Sequence, residues 1–152
     1  MSKPHPMHFN LEKVCRLCRR NRRGAAAVEF AVVAPVLFLM VFGMIEYGRA
    51  VMVQQVMTNA AREGARSAVL DGATATDVED RVVDYLQGGG ISGASADHVT
   101  IDPADPASAG FGDPVTVTVT IPFNQVSWLG TPMYLNNRSL TATAVMRRET
   151  VE

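Results

Sequence analysis

Cysteine is absent from the chain after Cys18, so the rest of the 152 residues must hold its fold by burial, with neither a disulfide nor a thiolate metal site. Histidine is nearly as scarce. Beyond residue 24 only His98 occurs, with no nucleophile elbow and no recognisable carboxylate pair, so the sequence offers no constellation for enzymatic chemistry. Residues 24–152 carry seven Lys/Arg against fourteen Asp/Glu, a net acidic balance that excludes the basic surface nucleic acid requires. The most consequential absence is local: from residue 30 to residue 45 there is no polar side chain. The overall hydrophobic content of 47% is ordinary for a soluble protein, but it is concentrated in that block. The length allows one core of ordinary size.

What is present begins with a basic block, seven Lys/Arg against the single Glu12 in residues 1–23. It is followed by GAAAVEFAVVAPVLFLMVFGMI, residues 24–45, whose only charge is Glu29. As a helix this segment reaches about 32 Å, matching a hydrocarbon core of about 30 Å. Lys13, Arg16, Arg19, Arg20, Arg22 and Arg23 precede it, whereas only Arg49 and Arg62 follow closely. Basic flanks stay cytoplasmic, which predicts a single span with the amino end inside and the remainder outside the cytoplasm. Tyr47 suits the interface, and the spacing of Glu46 and Arg49 predicts a local ion pair. A cleaved secretory signal fits poorly, because no small-x-small site follows the apolar run; twin-arginine export fits poorly because the run is long and opens on a carboxylate. Pro35 removes the hydrogen bond to the carbonyl of Ala31, which predicts a bend.

An acid in a bilayer costs up to a few kcal/mol and usually marks a site with a partner, although Glu29 lies close enough to the cytoplasmic end to snorkel. Arg22-Arg23-Gly24-Ala25-Ala26-Ala27-Val28-Glu29-Phe30 followed by an apolar helix resembles the type IV prepilin processing site. More narrowly, RRNRRGAAAVEFAVVAPVLFLMVFGMIEYGRAVMVQQVMTNAAREGAR, about residues 20–70, resembles the TadE-like family of minor pseudopilins associated with tight-adherence (Flp-type) pilus assembly. The resemblance implies cleavage after Gly24 by a membrane aspartyl prepilin peptidase, leaving Ala25 as the first residue and Glu29 as the fifth. Cleavage creates a cationic amine on Ala25, about 6 Å from Glu29 along the helix. A staggered neighbour can then set its Ala25 amine against Glu29, neutralising two groups that are costly alone. Major pilins of this system commonly carry Glu-Tyr where this chain has Glu29-Phe30, and they are far shorter, so the resemblance implies a minor subunit.

After the span, polar pairs at Gln54/Gln55, Thr58/Asn59, Arg62/Glu63 and Arg66/Ser67 alternate with apolar or small pairs, predicting an amphipathic helix over residues 48–71. A repeat of four overshoots the helical period, which predicts an apolar stripe winding about the axis. Ala60, Gly64 and Ala68 form a small-x-x-x-small row suited to close helix contact, either with this chain's own outer domain or with another subunit. Asp71-Gly72 is expected to end the helix.

In the outer part, Thr76-Asp77-Val78-Glu79 reads as a capping box opening a second helix that stops at Gly88-Gly89-Gly90. Strands are predicted at residues 98–102, 115–121 and 139–147 from alternating apolar and polar positions. The expected fold class is α+β, a long membrane-spanning helix continuing into an amphipathic helix capped by a small antiparallel sheet domain. In the loop at residues 123–137 the rings of Phe123, Trp128 and Tyr134 either tuck under the sheet or present a contact surface, and the preference of large aromatics favours burial.

Other patterns carry no function. Gly88-Gly89-Gly90-Ile91-Ser92-Gly93 satisfies G-x-G-x-x-G but follows a helix rather than a strand, so it reads as a flexible connector. Cys15-x-x-Cys18 with His5 and His8 lacks a second matching pair for zinc, and Asp97, Asp102, Asp105 and Asp113 lack the ordered spacing of a calcium loop. No cofactor or metal is expected.

The chain therefore divides into a basic cytoplasmic leader (1–24), a transmembrane helix (25–47), an amphipathic helix (48–71) and an extracytoplasmic α+β domain (72–152). The expected function is that of a TadE-like minor pseudopilin in the bacterial inner membrane, processed at Gly24/Ala25. Glu29 and Phe30 are expected to act in assembly. The expected partners are prepilin peptidase, other pilin or pseudopilin subunits, the inner-membrane pilus assembly platform and membrane lipid. The competing class is an unprocessed single-pass protein whose outer domain binds a ligand or partner.

Overall fold

A computed structural model describes the backbone of residues 11–129 and 132–149, and side chains from residue 24 onward. His5 and His8, and the side chains of Cys15 and Cys18, lie outside the described residues. The chain forms two units, one ending at Val41 and one beginning at Phe42. The first is built on a single helix. The second contains a sheet, a second helix and the carboxyl-terminal part of the first.

Helix α1 (Leu11–Ala68) continues through Pro35. Its buried apolar residues beyond the span, Ala50, Val53, Met57, the pair Ala60 and Ala61, Ala65 and Ala68, recur about once per helical turn. This is a straight helical stripe rather than the expected winding one. The reason lies in the small pairs: Ala60-Ala61 and Gly64-Ala65 allow both members to turn inward, so the buried line keeps the period of about 3.6 although the polar pairs repeat every four. The helix ends at Ala68, before Asp71-Gly72. Gly72 instead occupies a left-handed position (φ 77°) within the turn closed by Ala73 N–H on Leu70 O.

Helix α2 (Ala75–Gly88) opens two residues earlier than the sequence pattern predicts. The capping pair is Thr74 and Asp77, with Asp77 N–H donating to Thr74 Oγ1 at 3.2 Å and Thr74 N–H donating to Asp77 Oδ2 at 3.2 Å. Both Thr74-x-x-Asp77 and Thr76-x-x-Glu79 satisfy the rule, and Val78, Val82 and Leu86 form the buried face of the helix. The glycine run is an ordered cap. Ile91 N–H donates to Leu86 O and Gly90 N–H to Gln87 O, each at 3.0 Å, with Gly90 at φ 84°. These are the bonds of a Schellman motif, and its accompanying apolar pair, Leu86 and Ile91, is buried.

Strands β1 (Val99–Asp102), β2 (Pro114–Pro122) and β3 (Ser139–Arg147) form an antiparallel sheet in the order β1-β2-β3. His98 belongs to the short turn Ala96–His98 rather than to the strand, and its Nδ1 accepts from Ser95 N–H. Val115, Val117, Val119 and Ile121 point inward, with Val119 opposite both Val99 and Ala142. The alternating threonines face out, where the hydroxyls of Thr118 and Thr143 lie 3.1 Å apart. Valines of β2 and α2 meet the alanine-rich face of α1, giving the α+β arrangement.

Close packing is most acute at Gly64, where an added Cβ would lie 2.4 Å from Val82 Cγ2 and 3.3 Å from Val117 Cγ1. Val82 is β-branched and stiff, so it cannot swing aside. Gly64→Leu is expected to lower the unfolding free energy by about 3 kcal/mol through overpacking, measured by chemical denaturation.

Candidate functional site

From Gly24 onward α1 presents an almost unbroken apolar surface, with Val28, Phe30, Val32, Val33 and Val36 each more than half exposed. No water-soluble fold leaves such a surface uncovered, whereas lipid covers it without cost. The segment beginning at Gly24 is the one candidate membrane span among the described residues. Gly24, Ala25, Glu29 and Phe30 all lie on this exposed helix. A Cβ built on Gly24 meets no heavy atom of the described residues within 4 Å. Ala25 and Glu29 are separated by one helical turn and share a face. Glu29 makes no hydrogen bond or ion pair with the described side chains.

At the other end of the apolar run, Glu46 and Arg49 do not pair with each other as their spacing predicts. Glu46 is 2% exposed, and its carboxylate accepts from the backbone of residues 88 and 89 positions away. Tyr134 N–H donates to Oε2 at 3.0 Å and Leu135 N–H to Oε1 at 2.8 Å. Arg49, 7% exposed, donates from Nε to Val126 O at 2.8 Å, and its guanidinium lies 4.9 Å from the Trp128 ring centroid. Its Nη2 lies 3.4 Å from Gly90 O. The two charges therefore fasten two distant loops to α1. Backbone amides and carbonyls, being obligatory hydrogen-bonding groups, satisfy the buried charges in place of an ion pair. Sequence spacing cannot find this, because the partners are main-chain atoms far along the chain.

The aromatic loop divides in the same region. Phe123 is fully buried at the end of β2, as expected, but Trp128 is 67% and Tyr134 55% exposed. Val126 and Pro132 of the same loop are buried. Arg49, Gly90, Ser92, Gln125 and Trp128 line an open groove of about 260 Å³, although the bonds of Arg49 to this chain's own carbonyls commit its charge to the fold.

The row Ala60, Gly64 and Ala68 is buried within the second unit, where Gly64 faces Val78, Val82 and Val117. Its small side chains serve close approach of α1 to α2 and β2 of the same chain.

Residues 24–66 match the family model for TadE-like proteins. The match starts at the glycine before the expected cleavage point and takes in Glu29, Glu46, Arg49 and Gly64. It covers less than half of the chain, leaving α2 and the sheet outside. No curated protein and no solved structure matches.

Where α1 meets α2, one partly exposed network has a clear pH signature. Glu63 lies 2.8 Å from Arg66 and 3.1 Å from Arg81 of α2. Hydrogen bonding to Arg66, aided by Arg81 and opposed by burial, lowers its pKa from 4.5 to about 2. The folded state thus gains stability that is fully present above the unfolded pKa and is lost as pH falls through about 2. Both arginines are more than half exposed, so the contribution is about 0.5–1 kcal/mol. Glu63→Gln is expected to lose that amount at neutral pH. The gap from the unaltered protein should close towards pH 2 in denaturation curves recorded across the acid range.

Among the described residues no group of three or more His, Cys, Asp or Glu is placed to hold a metal. Asp105 and Asp113 instead cap turns, accepting from Ala107 N–H and Gly110 N–H respectively. Arg148, which the sequence does not single out, secures that loop by donating from Nη1 to the carbonyls of Pro106, Ala107 and Ala109.

Proposed function

We propose that the protein is a TadE-like minor pseudopilin, inserted in the bacterial inner membrane with its amino end in the cytoplasm, trimmed after Gly24 by a prepilin peptidase and recruited to a Flp or tight-adherence pilus or a related secretion apparatus. Its role is structural rather than catalytic. The observation that carries the proposal is the placement of Glu29: an exposed carboxylate on an otherwise apolar helix, one turn beyond Ala25, inside the segment that matches the TadE-like model. A carboxylate in that position is stabilised by a cation from outside the chain. The amine freed on Ala25 of an adjoining pilin or pseudopilin supplies one at the required depth, and the pairing fixes the stagger between subunits. Gly24 and Ala25 mark the processing point, Glu29 and Phe30 the assembly face, and the assembly platform in the inner membrane is the receiving structure.

The assigned boundaries are a leader over 1–24, a transmembrane helix over 25–47, an amphipathic helix over 48–71 and an extracytoplasmic domain over 72–152. The test is Glu29→Ala. The variant is expected to be trimmed normally, since the scissile bond is untouched, but to enter pilus assemblies at least tenfold less, because losing one member of a buried ion pair costs about 3–5 kcal/mol. Quantitative co-purification of the trimmed variant with the assembly, at the level of the unaltered chain, removes the role given to the carboxylate.

A further inference from the structure

The loop that Glu46 and Arg49 fasten to α1 keeps large apolar side chains in the open. Trp128, Met133 and Tyr134 are each more than half exposed, although the same domain buries Phe123 completely. From residue 126 to residue 137 the chain carries no charged side chain. Two attachments fix the depth of these rings along α1. Tyr134 is held through its backbone by Glu46, and its ring lies against Gly43, where an added Cβ would be 3.2 Å from Cε2. Trp128 stacks on Arg49. Gly43 belongs to the last turn of the apolar run, and Arg49 lies four residues, about 6 Å of helix rise, beyond Ile45. The headgroup layer on each side of a bilayer is about 5–8 Å deep. Tyr134 therefore falls at the edge of the hydrocarbon and Trp128 in the headgroup layer, the zone that amphipathic rings prefer.

The charges of the domain are distributed to match. This loop leaves the sheet at the end where Pro122 pairs with Ser139. Asp102, Asp105 and Asp113 cluster at the opposite end, where Asp102 pairs with Thr116 and Pro114 with Arg147, about 26 Å away along β2. Asp71, beyond the end of α1, meets Arg148 at that same far end. These four acidic groups stand away from the loop, whereas Asp97 precedes β1 at the loop's own end of the sheet.

We infer that Trp128, Met133 and Tyr134 form an interfacial anchor that beds into the lipid leaflet from which α1 emerges. The inference rests on residues 24–45 spanning a membrane. The anchor gives Glu46 and Arg49 a second consequence: by tying the loop to the exit turn of the span, they set the depth at which its rings meet lipid. In this arrangement the domain contacts the bilayer at two places, the helix and the loop.

Trp128 is the only tryptophan in the chain, so it reports its own surroundings. The full-length protein would be reconstituted in phosphatidylcholine and phosphatidylglycerol vesicles, with lipids brominated either near the glycerol or at the chain ends. Trp128 emission is expected to lie to the blue of tryptophan in buffer. It should lose most of its intensity to bromines near the glycerol, little to bromines at the chain ends, and little to aqueous acrylamide. A companion variant, Val36→Trp combined with Trp128→Phe, probes the span itself and is expected to be quenched by bromines at the chain ends. If the companion is quenched but Trp128 is quenched only by acrylamide, the anchor is wrong and the span stands. Indifference of Trp128 to both quenchers, as when a second protein surface covers it, also overturns the anchor. If the companion is not quenched, the span fails and the anchor fails with it.

Discussion

Replacing Gly24 with a bulky residue, Gly24→Leu, is expected to leave the entire membrane-bound population at precursor mass, still carrying residues 1–24. The argument has two parts. A peptidase acting next to a helix must bring its own backbone close to the scissile bond, and glycine is the residue that permits such approach. A Cβ at Gly24 meets no described heavy atom within 4 Å, so the added carbon disturbs no packing among the described residues. A processing defect in Gly24→Leu therefore reports recognition by the peptidase rather than loss of the fold. Gly24→Ser, a smaller change, is expected to show the same defect, and Gly24→Ala a partial one. Intact mass spectrometry of the extracted membranes distinguishes the three. Trimming of Gly24→Leu at the normal rate would place the cut elsewhere or deny it.

Glu46→Ala is expected to destabilise the second unit by about 3 kcal/mol, since it leaves the amides of Tyr134 and Leu135 without their charged acceptor, and each such bond is worth about 1.5–3 kcal/mol. For a domain of this size that loss corresponds to a fall of roughly 10–20 °C in Tm. Glu46→Gln retains one carbonyl acceptor but brings an NH2 donor towards the same two N–H groups, so it should fall between the two. Circular dichroism melting of the full chain in detergent measures all three. The exposed pair Glu63 and Arg66 provides the contrast, because its removal costs only a fraction as much. A Glu46→Ala variant that melts with the unaltered protein would mean that the buried carboxylate is not what holds the loop to α1.

These two sites differ in how far the sequence reveals them. The processing and assembly roles proposed for Gly24, Ala25 and Glu29 are read from contiguous features, a basic flank, a glycine and an acid opening an apolar run. The sheet is legible for a similar reason: Val115, Val117, Val119 and Ile121 alternate with threonines, and a two-residue period has one structural meaning. Glu46 and Arg49 are close in sequence and of opposite charge, yet each finds main-chain partners in a distant loop. Local spacing describes only the partners within one turn of helix. The sequence pattern at Thr76-x-x-Glu79 misses the start of α2 by two residues, because Thr74 also stands three positions ahead of an acid and its bonds with Asp77 form the cap. Composition does not distinguish Phe123 from Trp128 and Tyr134, since large aromatics favour burial in general, yet the first is buried and the other two are more than half exposed.

The role given to Glu29 depends on a free amine at Ala25, and amino-terminal sequencing of the unaltered protein extracted from its own membranes reads that amine directly. The account predicts a chain beginning Ala25-Ala26-Ala27-Val28-Glu29. A chain that retains the arginines before Gly24 contradicts it, because no subunit would then carry the cation that Glu29 is proposed to meet.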